Sequence, residues 1–134
     1  MDPSLQQLVW QRAGARCEYC QIPQELDEVP FEIDLIIARK HRGGTVAGNL
    51  ALACFYCNSY KGPNLASIDR KTRKITRLYH PRRHTWHYHF RWGGPMLIGR
   101  TAIGRTTVAL LEINLPARAA LRASLIEEGQ FPPA

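Results

Sequence analysis

Apolar positions near the start of the chain fall at helical spacing: Leu5, Leu8 and Val9 form a stripe that Asp2 and Pro3 can open and Gly14 can end. The period then changes. From Val29, the apolar residues Val29, Phe31, Ile33 and Leu35 alternate with Pro30, Glu32 and Asp34, which predicts a strand. Residues 38–48 contain Gly43, Gly44 and Gly48 and read as a loop, and Asn49 to Ala53 as a short second strand. Cys54 to Lys61 then makes a short helix stopped by Gly62-Pro63. The order is strand, loop, strand, helix.

Further on, Lys74 to Tyr79 is expected as another strand, broken at His80-Pro81, while periodicity leaves Thr85 to Trp92 open between strand and short helix. Two helices close the chain. One runs from near Thr101, its cap, to Ile113, and the other from Pro116 to Glu128, capped by Asn114 and ended by Gly129. This is an α+β pattern of a size that suits one domain over 134 residues: a core at about 12–63, a basic and aromatic extension at about 64–100, and a helical C-terminal part at about 101–130. The apolar runs are far shorter than a membrane span and the start lacks the pattern of a signal peptide, so a soluble, cytoplasmic protein without a membrane partner is expected.

Charge changes the picture. The net charge is +7, and from Leu35 to Leu111 fourteen Lys or Arg residues face Asp69 as the only acid, a distribution that attracts a polyanion. Duplex DNA with weak sequence preference is the expected partner, with Lys61, Arg70, Lys71, Arg73, Lys74, Arg77, Arg82, Arg83 and Arg91 as phosphate contacts. A merely solvated basic face is the alternative. The interleaved Tyr79, Trp86, Tyr88, Phe90 and Trp92 either stack on bases or build a core joining the two halves, and a core role is expected for most of them.

All four cysteines stand in two Cys-x-x-Cys pairs, Cys17/Cys20 and Cys54/Cys57, separated by thirty-three residues, enough for the intervening hairpin to fold back and join them. Four thiolates fill a tetrahedral zinc sphere, so such an ion stabilises the fold and does no chemistry. Two disulfides are the alternative, disfavoured in a reducing compartment. Between and after the pairs, Asp34 at a strand end and Asn58 on the following helix are oxygen ligands that can converge on a hard cation such as Mg²⁺ or Mn²⁺.

The chain resembles the HNH endonucleases, the ββα-metal or His-Me finger nucleases, in the branch with paired zinc cysteines. The resemblance rests on Cys17-Glu18-Tyr19-Cys20, Ile33-Asp34-Leu35-Ile36-Ile37, His41 with Gly43-Gly44, Asn49-Leu50, and Cys54-Phe55-Tyr56-Cys57-Asn58 with Lys61-Gly62. It implies a ββα-metal core held by a four-cysteine zinc site, with an N-terminal helix and a C-terminal strand and helix extension. It also implies Asp34 and Asn58 as ligands of the catalytic divalent metal and Asn49 as the residue that orders the loop carrying the general base. The second half is similar to small stand-alone HNH proteins at Leu78-Tyr79-His80-Pro81-Arg82-Arg83, His89-Phe90-Arg91-Trp92 and Gly104-Arg105.

One position departs from the pattern. Where the family places its catalytic histidine this chain has Leu35, which can neither accept a proton nor orient water, and loss of a positioned base costs about 10²–10⁴ in rate. The same leucine equally fits the apolar alternation. His41 is a poor stand-in, and His84, His87 and His89, with His87 and His89 on one face of an extended segment, suit phosphate contacts or packing better than metal ligation. The expected function is a metal-dependent DNA endonuclease crippled by Leu35. A non-catalytic, zinc-stabilised nucleic-acid-binding module is the alternative, and a partner-binding domain with an incidental basic surface the weakest reading.

Overall fold

The sequence pattern sets out the elements in order, and the computed structural model, which describes residues 1–133, shows how they pack. Helix α1 (Pro3–Ala13) begins where the Asp2 carboxylate accepts a hydrogen bond from Ser4 N at 3.0 Å and ends at Gly14, whose φ of 62° is left-handed. Its buried contact is Val9, and Trp10 stacks on Phe31 with ring centres 6.3 Å apart. Leu8, expected in the buried stripe, is exposed; Trp10 packs against the core from the neighbouring position.

Strands β1 (Glu32–Leu35) and β2 (Leu50–Ala53) pair antiparallel, with Asp34 opposite Ala51 and Leu35 opposite Leu50. Helix α2 (Phe55–Lys61) follows directly, giving the expected ββα unit. All of β2 is buried, as its unbroken apolar run demands. The alternation in β1 fails at one place: Asp34 is only 3% exposed. Tyr19 and Lys61 cover that face of the strand, so a position that reads as polar in sequence lies inside.

Strand β4 (Ile75–Arg77) lies within the expected 74–79 segment and pairs with β3 (Ala66–Ile68), a strand of three residues too short to show in the pattern. Residues 85–92 contain both alternatives: helix α3 (Trp86–His89) runs straight into strand β5 (Phe90–Gly93), which pairs with β6 (Met96–Gly99). Because His87 and His89 sit in a helical turn, they do not share a face as they would in a strand; His87 is exposed and His89 buried.

Helix α4 (Ala102–Leu110) is capped by Thr101, whose Oγ1 accepts from Gly104 N at 3.0 Å, and ends earlier than expected because Glu112 takes a positive φ of 50°. Helix α5 (Pro116–Glu127) has no side-chain cap. Asn114, the expected cap, instead accepts from Leu97 N and donates to Leu97 O, both at 2.9 Å, extending the edge of β6. Arg122 of α5 is 1% exposed and donates to Pro95 O and Ile113 O. One buried cluster runs from Val9 through Leu50–Cys54 to Phe90, Leu125 and Phe131. Within it Trp86 Nε1 donates to Tyr19 O at 2.8 Å and Tyr79 meets Tyr19 edge to face, so the aromatics serve as the predicted bridge between the halves; Tyr88, 68% exposed, does not.

Candidate metal centre and nuclease site

The two Cys-x-x-Cys turns come from opposite sides of the ββα unit: Cys17 and Cys20 follow α1, and Cys54 caps α2 with Cys57 one turn on. All four are buried and unpaired as disulfides, and their sulfurs lie within 4.8 Å of one another. In each pair the second backbone N–H points at the first sulfur, Cys20 N to Cys17 Sγ at 3.5 Å and Cys57 N to Cys54 Sγ at 3.4 Å, which supports thiolates. A tetrahedral zinc with Zn–S bonds of about 2.3 Å sets neighbouring sulfurs about 3.8 Å apart. Cys20 Sγ and Cys54 Sγ are 3.8 Å apart, so the four-cysteine cluster fits a structural zinc. Among the described residues no other group of three or more His, Cys, Asp or Glu side chains gathers in this way.

Glu18, between the first pair, locks this centre to the sheet. Its N–H donates to Leu52 O at 2.8 Å, its carboxylate accepts from Leu52 N at 2.8 Å, and it forms an ion pair with Arg82. The pattern gave no sign of this role, since a Glu inside a zinc turn reads as an exposed spacer. Arg82 is therefore engaged inside the molecule by Glu18 rather than free for phosphate, a correction to its expected place on the nucleic-acid surface.

The second correction concerns Lys61. Expected at a phosphate, it is 2% exposed, with its ammonium 3.2 Å from both oxygens of Asp34 and donating to Leu35 O at 3.4 Å and Ile36 O at 3.1 Å. Tyr19 Oη donates to Asp34 Oδ2 at 2.8 Å. Burial raises the pKa of Asp34 while the Lys61 charge and the Tyr19 hydroxyl pull it down; with an ammonium at contact distance, the carboxylate is the form this geometry holds. Lys61, in the last turn of α2 and three residues after Asn58, reaches back under β1 to make these contacts.

Asn58 takes a different partner, donating to Glu32 Oε1 at 3.1 Å near the surface. Asp34 and Asn58 thus sit on adjacent elements as expected, but their side chains are committed separately. A divalent cation at Asp34 would have to displace a buried ammonium, so in this arrangement the pair does not fit Mg²⁺ or Mn²⁺. Leu35, half-buried at the end of β1, offers no proton acceptor, and His41 is exposed in a turn of the following loop.

Asn49 organises that loop. Its Oδ1 accepts from Ile37 N at 2.8 Å, and its Nδ2 donates to Ile37 O at 3.0 Å and Gly44 O at 2.9 Å. A Cβ at Gly43 would collide with Ile37 O, so the closed loop excludes any larger residue there.

The histidines of the second half form a packed group made of His80, His84 and His89 around Tyr79, rather than of His84, His87 and His89. His84 Nδ1 accepts from His80 N at 2.9 Å and His80 Nδ1 from Arg82 N at 3.1 Å. Backbone N–H groups aimed at both Nδ1 atoms place the proton on Nε2, leaving no free lone pair for a metal. Burial lowers the pKa of all three.

The exposed cations cluster elsewhere. Arg70, Lys71, Arg73 and Lys74 occupy the turn between β3 and β4, with Arg77, Arg83 and Arg91 also at the surface. Asp69 is consumed inside that turn: it takes two hydrogen bonds from Arg105, at 3.1 and 3.0 Å, and one from Thr72 Oγ1 at 2.9 Å. These bonds hold its carboxyl well below the usual carboxylate range.

A zinc-type cysteine quartet buttressing two strands and a short helix defines a treble of elements with a polar seam between β1 and α2. Residues 17–64 match the family model of the HNH endonucleases, and that segment is an HNH domain whose four-cysteine cluster is consistent with the zinc-binding branch. Helix α1 and everything from β3 onward lie outside the matched segment. No curated protein and no solved structure matches the chain. Among the described residues no helix is long and apolar enough to cross a membrane.

Proposed function

We propose that the protein binds duplex DNA on an HNH nuclease scaffold and that its phosphodiester hydrolysis is crippled in this sequence. The observation that carries the reading is the state of the β1 end: Leu35 stands at the general-base position, and the neighbouring carboxylate, Asp34, is paired with Lys61 and Tyr19. Hydrolysis needs a base within hydrogen-bond reach of water and an accessible cation on the phosphate. Leu35 cannot serve as that base, and Asp34 can ligate a cation only on releasing Lys61. The scaffold that would position them is nevertheless complete, with the Asn49-clamped loop and the cysteine centre in place. DNA is supported as the partner by the family match and by the exposed cations at 70–74.

The Asp34–Lys61 pair also supports the alternative of a binding module without catalysis, because an internal cation already neutralises the carboxylate. Plasmid nicking with Mg²⁺ or Mn²⁺ separates the two. Under the first reading the parent is near background and Leu35→His gains about 10²–10⁴ in rate. Silence from both proteins, with duplex binding intact, assigns the binding module. Cleavage by the parent at the rate of Leu35→His overturns the proposal that this position cripples it.

A further inference from the structure

The β3–β4 hairpin carries an apolar pair that neither the fold nor the HNH domain uses. Ile68 and Ile75 are cross-strand partners at the mouth of the turn, 57% and 82% exposed, and so point to the same outer face. Ser67 and Thr76, on the opposite face, are half-buried. Directly beyond the isoleucines the turn bears Arg70, Lys71, Arg73 and Lys74, all exposed, and Arg77 lies on the isoleucine face one pair further back.

This hairpin is anchored rather than loose. Asp69 gathers the turn by accepting from Lys71 N, Thr72 N and Thr72 Oγ1, and Arg105 on α4 grips the same carboxylate with two bonds. The only acid of the basic block is thereby spent on rigidity, and among the described residues Arg70, Lys71, Arg73 and Lys74 form no ion pair. Its base faces the HNH domain: a cavity of about 90 Å³ lies between Ile36 and Ile37 on one side and Leu65, Arg77 and His80 on the other. Ile36 follows Leu35 directly, so the base of the hairpin packs next to the end of β1.

We propose that this hairpin is a DNA wedge, in which Ile68 and Ile75 press into a base step while the surrounding cations hold the flanking phosphates. Apolar side chains set between basic ones partly unstack a step and widen the surface the protein can contact. A second copy of the chain is disfavoured as occupant, since it would bring a like-charged rim against this one. The inference rests on the DNA-binding reading above and adds the mode of contact.

The test is titration of the full chain against a duplex carrying 2-aminopurine at pyrimidine–purine steps, which unstack most readily, at several salt concentrations. Binding of the parent should raise the 2-aminopurine fluorescence. Ile68→Ser/Ile75→Ser should abolish that rise and weaken affinity about ten- to hundredfold, with the salt slope unchanged. Lys71→Ala/Lys74→Ala should flatten the slope by about 0.9 for each phosphate no longer neutralised. Ile75→Phe, which keeps a large apolar side chain, should retain the rise and guards against a folding artefact in the serine variant. A full rise in the serine variant overturns the wedge while leaving DNA binding intact. If the isoleucines matter only for binding phosphatidylserine vesicles, the surface belongs to a membrane and the wedge is overturned. Absence of duplex binding by the parent overturns the wedge and the DNA reading together.

Discussion

Replacing Lys61 by Met removes the ammonium that faces the buried Asp34 carboxylate and keeps most of the apolar stem. The carboxylate is then left with the Tyr19 hydroxyl alone, and Leu35 O and Ile36 O each lose a donor. Breaking a buried ion pair from one side costs about 3–5 kcal/mol, a factor of about 10²–10⁴ in the folding equilibrium and a large share of the roughly 5–15 kcal/mol typical of a domain. The loss should depend on pH in a definite direction. Without the ammonium, the folded-state pKa of Asp34 rises further above its unfolded value, so between those two values the folded state holds the proton more tightly and stability falls as pH rises. Urea denaturation of parent and Lys61→Met at pH 8 and pH 5 measures this: the deficit should be largest at pH 8 and shrink at pH 5. Asp34→Asn/Lys61→Met should recover part of the loss, giving a coupling energy above about 1 kcal/mol in the double-mutant cycle. A deficit under about 1 kcal/mol at pH 8, or a flat pH profile, refutes the role given to this pair.

Removal of the cysteine-bound metal by a strong chelator should unfold residues 17–64 and lower the melting temperature, with zinc restoring it; unchanged melting with no zinc in elemental analysis would argue against the metal centre. Asn49→Ala deletes three hydrogen bonds and strands the groups of Ile37 and Gly44, an expected loss of about 2–4 kcal/mol with fast amide exchange in residues 37–44. The imidazoles of His80, His84 and His89 should titrate below the ordinary histidine value in NMR, because their burial disfavours the charged form; their contribution to stability is present above the unfolded value and fades as pH falls through the folded ones. A midpoint above 6.5 for any of them would contradict the packing described.

What local chemistry dictates was readable in the chain itself. Cys-x-x-Cys spacing fixes a tight turn wherever it occurs, a Gly-Pro ends a helix in any context, and the caps at Asp2 and Thr101 need only the next turn of backbone. The ββα order and the cysteine quartet followed from such signals. What the sequence could not decide was which polar groups go inside, since that depends on elements far apart in the chain. Asp34 and Lys61 are twenty-seven positions apart, Glu18 and Arg82 sixty-four, and Asp69 and Arg105 thirty-six. Charge counting placed Lys61 and Arg82 on the surface because a lone cation reads as solvated; tertiary packing supplied each with a carboxylate and drew it in. The same packing pulled Asn114 from its cap position to the edge of β6 and left Ile68 and Ile75 outside. Residue types and short spacings determined the scaffold, and long-range pairing decided which of its charges remain free to act.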